Sequence, residues 1–192
     1  RARRQASIAQ SESAKARQLN RFLTQMLSSA NPSWYNANGA SAGSVTVRQV
    51  LDGASQLIAA ELSATPEVEA EMQRTLGRTY IGMAEPDRAG PHLDRALALY
   101  REQRDPFGTA FTEALLGEQA LLKGDYPTAE TRLRAALAYV RSLGDVPTDP
   151  ELHMMATNDL GVAISNLRPG HPEATALKRE GIAVADRDRS SA

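Results

Sequence analysis

The chain has 192 residues, a formal net charge of −1, no cysteine and only 5% aromatic residues. That length suits one globular domain or a short array of helices, and the missing cysteine excludes disulfides and thiolate metal sites. The near-zero charge gives no global pull toward nucleic acid, and no apolar run approaches the roughly 18–20 residues of a membrane-spanning helix.

In chain order, residues 1–21 concentrate positive charge: Arg1, Arg3, Arg4, Lys15, Arg17 and Arg21 stand against Glu12 alone. Such an arm has the charge to touch acidic lipid or nucleic acid. The plainer reading is a solvated helix end, and no nucleic-acid partner is expected. No signal peptide is visible, and the opening Arg1 suggests a piece of something longer. From Ala16 the pattern tightens, with Leu19, Phe22, Leu23, Met26 and Leu27 on one helical face until Asn31-Pro32 stops it. Residues 33–45 have turn composition and no period. Trp34 and Tyr35 at the start of this loop are candidates for a ligand contact or, more simply, for a lid on a helical core.

Thr46-Val-Arg-Gln49 has the form of a capping box, and the helix behind it is expected to bury Val50, Leu51, Ala54, Leu57, Ile58 and Leu62. Prolines then punctuate the chain. Pro66, Pro86, Pro106, Pro127, Pro150 and Pro172 are separated by 20, 20, 21, 23 and 22 residues. Proline is tolerated in the first helical turn, where its missing N–H would have had no partner. Thr65, Asp105 and Asp149 precede three of them as plausible caps. The series predicts six helices in three hairpins, at 66–83 with 86–103, 106–123 with 127–143, and 150–167 with 172–186. Residues 1–63 then form a helix, a loop and a capping helix, and 64–192 hold three repeats at about 66–103, 106–143 and 150–186.

The repeat itself is explicit. Leu116-Gly117, Ala129, Leu133, Ala136 and Leu137 return 40 positions earlier as Leu76-Gly77, Ala89, Leu93, Ala96 and Leu97. Leu160-Gly161 lies 44 positions later, followed by a looser copy around Ala174, Leu177 and Gly181. Glycine inside a helix costs about 1 kcal/mol against alanine, so its return at one register needs a packing reason. A bare Cα lets the second helix of a hairpin approach closely, and one hairpin cannot bury its apolar stripe without neighbours.

Leu-Gly, the Gly124-Asp-Tyr126 turn, Tyr80 and the Ala-x3-Leu-x2-Ala spacing resemble the tetratricopeptide repeat (TPR). The early Trp and closing Pro of that family are missing. The resemblance implies an all-α fold, with antiparallel hairpins stacked into a short right-handed solenoid. A narrower likeness runs through Arg17–Leu27, Thr46–Leu51, Pro66–Ala70 and Arg74–Tyr80. In this order these stretches are similar to the region after the transmembrane helix in bacterial serine/threonine protein kinases that end in TPR arrays. It implies a regulatory or sensor part on the extracytoplasmic face of the membrane; without that likeness a cytoplasmic location is expected. The kinase is not here, since no glycine-rich loop and no His-Arg-Asp motif occur. Asp105-Pro-Phe-Gly108 mimics Asp-Phe-Gly but carries an inserted proline at a helix start.

Chemistry is sparse. His92, His153 and His171 lack metal-ligand spacing, Gly39–Gly43 lacks the Lys-Ser/Thr of a phosphate loop, and no nucleophile motif appears. No enzyme activity, cofactor or metal is expected. The TPR likeness implies instead that the first helices line a concave groove. Carried over residue by residue, its lining is Arg74, Arg78 and Ile81, then Phe111, Ala114, Glu118 and Leu121, then Met155, Asn158, Val162 and Ser165. Of these, Arg74, Arg78, Phe111, Glu118, Met155 and Asn158 are the candidate contacts for a protein or peptide partner. The groove would be basic at one end, apolar in the middle and amide-bearing at the other. The plainer reading makes Arg74 and Arg78 a solvated face pairing with Glu71. A clamp for a partner's C-terminal carboxylate is disfavoured, because Leu115, Met155 and Asp159 occupy clamp positions. The alternative function is self-assembly, as a homo-oligomer formed through residues 16–30.

Overall fold

The computed structural model describes residues 46–61, 65–144 and 149–191. The basic arm at 1–21, the amphipathic stretch at 16–30 and the loop with Trp34 and Tyr35 lie outside them. All regular structure among the described residues is helical: α1 (Val47–Glu61), α2 (Pro66–Gly82), α3 (Pro86–Gln103), α4 (Pro106–Leu122), α5 (Tyr126–Ser142), α6 (Pro150–Leu167) and α7 (Pro172–Ser191). The chain divides into two compact units, Arg1–Gln73 and Arg74–Ala192.

In the first unit α1 opens on the expected capping box. The Thr46 N–H donates to Gln49 Oε1 at 2.9 Å, and the Gln49 N–H donates back to Thr46 Oγ1 at 3.3 Å. Two of the helix's first N–H groups thereby find acceptors. Ala54 and Ile58, one turn apart, are fully buried, while Val50 and Leu51 are half-buried.

In the second unit the end of α2 pairs with α3, α4 with α5, and α6 with α7. Each of the six prolines sits in the first turn of a helix; Pro127 is the second residue of α5, because Tyr126 is already helical. Aspartates cap three of these starts. Asp105 accepts from the Gly108 N–H at 2.9 Å, Asp125 from Thr128 at 3.2 Å and Asp149 from Leu152 at 2.9 Å. Each cap replaces a hydrogen bond that the helix itself cannot supply, a contribution of about 1 kcal/mol. The Asp-Pro-Phe-Gly stretch is therefore a helix cap, and any side chain on Gly108 would run into the Tyr100 ring.

The recurrent Leu-Gly has the packing reason expected of it. A Cβ on Gly77 would lie 2.5 Å from the Leu93 side chain, and one on Gly117 would lie 2.5 Å from Leu133. Each glycine is a socket and each leucine of the facing helix fills it. Leu93, Ala96, Leu133 and Ala136 are fully buried in consequence. Successive hairpins join through α3 on α4 and α5 on α6, and the first helices α4 and α6 also touch.

The third hairpin follows this plan with a slip. Its turn, 168–171, is one residue longer than the turns at 83–85 and 123–125. The second helix therefore repeats at 45 rather than 44, matching Ala129 to Ala174 and Leu133 to Lys178. The Lys178 stem takes the leucine's place, with Cγ 2.9 Å from where a Gly161 Cβ would stand. Its ammonium reaches the Ser165 hydroxyl at 3.0 Å. A lysine can do this because its methylenes pack while its head stays polar.

Candidate functional site

The first helices α2, α4 and α6 bring several of the expected contacts together. The Arg74 guanidinium lies 4.7 Å from the centroid of the Phe111 ring. Phe107 meets the same ring edge-on at 5.8 Å. Such a cation–ring contact contributes about 0.5–1 kcal/mol at an exposed site and more where water is excluded. Phe111 is buried under this cover, whereas Phe107 is partly exposed. Ile81 and Ala114 are buried too and present no open surface.

Arg78 does not pair with Glu71. Its two terminal nitrogens donate to the two carboxylate oxygens of Glu151, at the start of α6, with Nη1 to Oε2 at 3.2 Å. This fork-to-fork pair joins the first and third hairpins across the face that Glu118 of α4 also occupies. Both partners are about half exposed, so the pair adds at most about 1 kcal/mol. Burial raises the Glu118 pKa; Arg78 opposes that shift and Glu151 adds to it.

The third hairpin departs from the expectation of an amide-bearing end. The Asn158 side chain lies against Gly181 of α7, where even a Cβ would collide with it. Ser165, bonded to Lys178, also faces α7. Glycine and lysine on α7 leave room and a donor there, so both polar groups turn inward to their own hairpin. What the third hairpin adds to the shared face is carboxylate. Glu151 holds Arg78, and Asp159 lies close enough to Glu118 for their charges to interact. Burial, reinforced by the Glu118 charge, pushes the Asp159 pKa up to about 7. Met155, half-buried, lies one turn after Glu151.

Glu151 and Phe107 were missing from the sequence reading of the face. A signal existed for both: Glu151 stands four residues before Met155 and Phe107 four before Phe111, spacings that share a helical face. Asp159, expected to stand against a carboxylate clamp, lies on this face beside Glu118.

The histidines serve three separate ends. His92 is half-buried and stacks on Tyr80 with ring centroids 5.6 Å apart, so it is less exposed than a surface position. His153 Nε2 lies 2.9 Å from Glu180 Oε1, tying α6 to α7. His171 occupies the turn before Pro172. Among the described residues no three His, Cys, Asp or Glu side chains gather closely enough to hold a metal ion, and no helix is long and apolar enough to cross a membrane.

Stacked antiparallel hairpins with glycine sockets and leucine knobs define a helical-repeat protein, an all-α solenoid class. Within that class, residues 68–142 match the family model described as Tetratricopeptide repeat. That match spans the first two hairpins and supports a tetratricopeptide repeat protein. Such repeats generally mediate protein–protein interaction and form a non-catalytic module. No curated protein matches the chain.

Proposed function

We propose that the face formed by α2, α4 and α6 receives a peptide or protein segment, and that the chain works as an interaction scaffold. The observation that carries this reading is the continuous row from Arg74 on Phe111, past Arg78 and Glu118, to Glu151 and Met155. A row of mixed charge interrupted by aromatic and thioether groups suits a segment with both acidic and apolar residues. Arg78 exchanges Glu151 for a carboxylate of the partner. In keeping with the sequence likeness over 17–27, 46–51, 66–70 and 74–80, the scaffold serves as the regulatory part of a bacterial serine/threonine kinase.

The test is a random-peptide display selection on the parent chain and on the double variant Arg74→Glu, Arg78→Glu, with circular dichroism to establish equal helicity. The expected result is a motif enriched on the parent and lost on the variant. Equal enrichment on both would remove these arginines from the site. Enrichment on neither, with a dimer detected by light scattering, would favour self-assembly instead.

A further inference from the structure

A second place on the molecule has the makings of a binding site. Between the end of α3, the start of α4 and the middle of α5 lies an open cavity of about 530 Å³. Ligand-binding clefts typically measure about 300–1,000 Å³. At 3.6 residues per turn, its α4 residues Thr109, Ala110 and Glu113 fall on a different side of the helix from Phe111 and Glu118. It is thus separate from the face proposed above and goes beyond that reading.

The lining combines apolar groups with two arginines. Ala110, Ala135 and the Tyr139 ring supply apolar surface, and Arg101 and Arg104 line the same space. Two carboxylates also border the space, and both are engaged. Glu113, buried, accepts from Arg101 at 2.6 Å and from Arg132 at 2.9 Å, while Asp105 caps α4 through the Gly108 N–H. Counting Arg132 on Glu113, three guanidiniums (Arg101, Arg104 and Arg132) stand against two carboxylates (Asp105 and Glu113), which leaves one positive charge over. Arg101 is 58% exposed at its side chain and turns only one nitrogen to Glu113. Among the described residues the Arg104 side chain and the Tyr139 hydroxyl take part in no hydrogen bond or ion pair.

Arg104 is also conformationally out of place. Its φ is +56°, the left-handed region, which Gly124, Gly144 and Gly170 occupy in other turns and which Ala84 shares. A residue with a Cβ is strained there, where glycine is not. The turn carries a side chain at a position where the backbone favours none, and that residue lines the cavity.

We infer that this cavity is a docking site for an acidic peptide segment of a protein partner, an apolar side chain seated on Ala110, Ala135 and Tyr139 with a neighbouring carboxylate held by Arg104 and Arg101. Charge complementarity selects the carboxylate, and the apolar lining selects the side chain beside it. Tyr139 donates its hydroxyl to the same carboxylate. The open side lets a chain pass across rather than requiring a free small molecule.

The test is a backbone-amide NMR titration of the full chain. One probe is an acetylated, amidated peptide with Glu-Leu-Glu at its centre; the others are its Gln-Leu-Gln counterpart and inorganic phosphate. The expected result is dose-dependent shifts at Arg104, Thr109, Ala110 and Tyr139 with the acidic peptide, at least fivefold weaker with the glutamine peptide. Arg104→Gly separates binding from folding: it relieves the strained turn, so the variant should be at least as stable as the parent and yet bind at least fivefold more weakly. The Arg74→Glu, Arg78→Glu variant should bind the probe like the parent, so failure of the first-helix face and failure of this site are distinguishable. Absence of shifts, equal binding of the glutamine peptide, shifts produced by phosphate alone, or unweakened binding by Arg104→Gly would each overturn the assignment.

Discussion

The hairpin α4–α5 and the hairpin α6–α7 share one backbone plan and fill it with different chemistry. In the first, Leu133 occupies the glycine socket, Leu115 is buried, and the buried acid, Glu113, has an arginine on each oxygen. In the second, Lys178 stands in the place of Leu133, Asp159 in that of Leu115 and Thr157 in that of Glu113. The lysine succeeds because its stem packs and its head reaches Ser165. The aspartate succeeds less well, since burial beside Glu118 pushes its pKa to about 7. The repeat therefore tolerates a polar residue in a core register when the side chain is long enough to leave it. A short acid placed there carries a standing electrostatic cost.

Truncation of both socket fillers should produce the largest difference between the two hairpins. Leu133→Ala should lower unfolding stability by about 2–5 kcal/mol, the usual cost of a core leucine. Lys178→Ala should cost less than about 1 kcal/mol, because much of that side chain is already near solvent. Urea denaturation of the two variants measures the difference, and equal losses would erase the distinction between the sockets.

The next effect concerns Asp159. Its pKa in the folded chain, about 7, stands above the unfolded value of about 3.9, so the folded state holds a proton that the unfolded state has released. Stability should therefore fall as pH rises from about 4 to 7, which is the opposite of a salt-bridged aspartate. Asp159→Asn should flatten that slope and stabilise the chain by about 1–3 kcal/mol at pH 8, after allowance for partial exposure. Thermal melts of both proteins at pH 5 and pH 8 test this. A parent that melts higher at pH 8, with the variant unchanged, would refute it.

The smallest effect belongs to the satisfied acid. Glu113→Gln removes the charge that Arg101 and Arg132 share but keeps the shape, so a loss of about 1–2 kcal/mol is expected. The loss is moderated because both arginines can turn to water. Added salt should shrink the gap between parent and variant, and a gap that persists unchanged in 1 M salt would point to shape rather than charge.

Much of the fold was legible because it depends on local rules. Proline positions marked helix starts, Thr46 and Gln49 announced their own cap, and the returning Leu-Gly exposed the sockets before any helix was placed. The contact face was less legible. Register arithmetic found Arg74, Arg78, Phe111 and Glu118 but treated every first helix alike. It could not see that the longer turn at 168–171 slips α7 by one residue and draws Asn158 and Ser165 toward Gly181 and Lys178. Nor could it pair Arg78 with Glu151, 73 positions away.

The residues alone dictate where the helices start and how glycine socket alternates with apolar knob, because these follow from nearest-neighbour stereochemistry and a period that survives in the chain; the end of the last helix, expected at 186, lies instead at Ser191. The tertiary structure decided which charges meet, which predicted contacts are covered and where a cavity opens between α3, α4 and α5. Those outcomes depend on the angle and offset between hairpins, and a one-residue change in a turn is enough to redirect them.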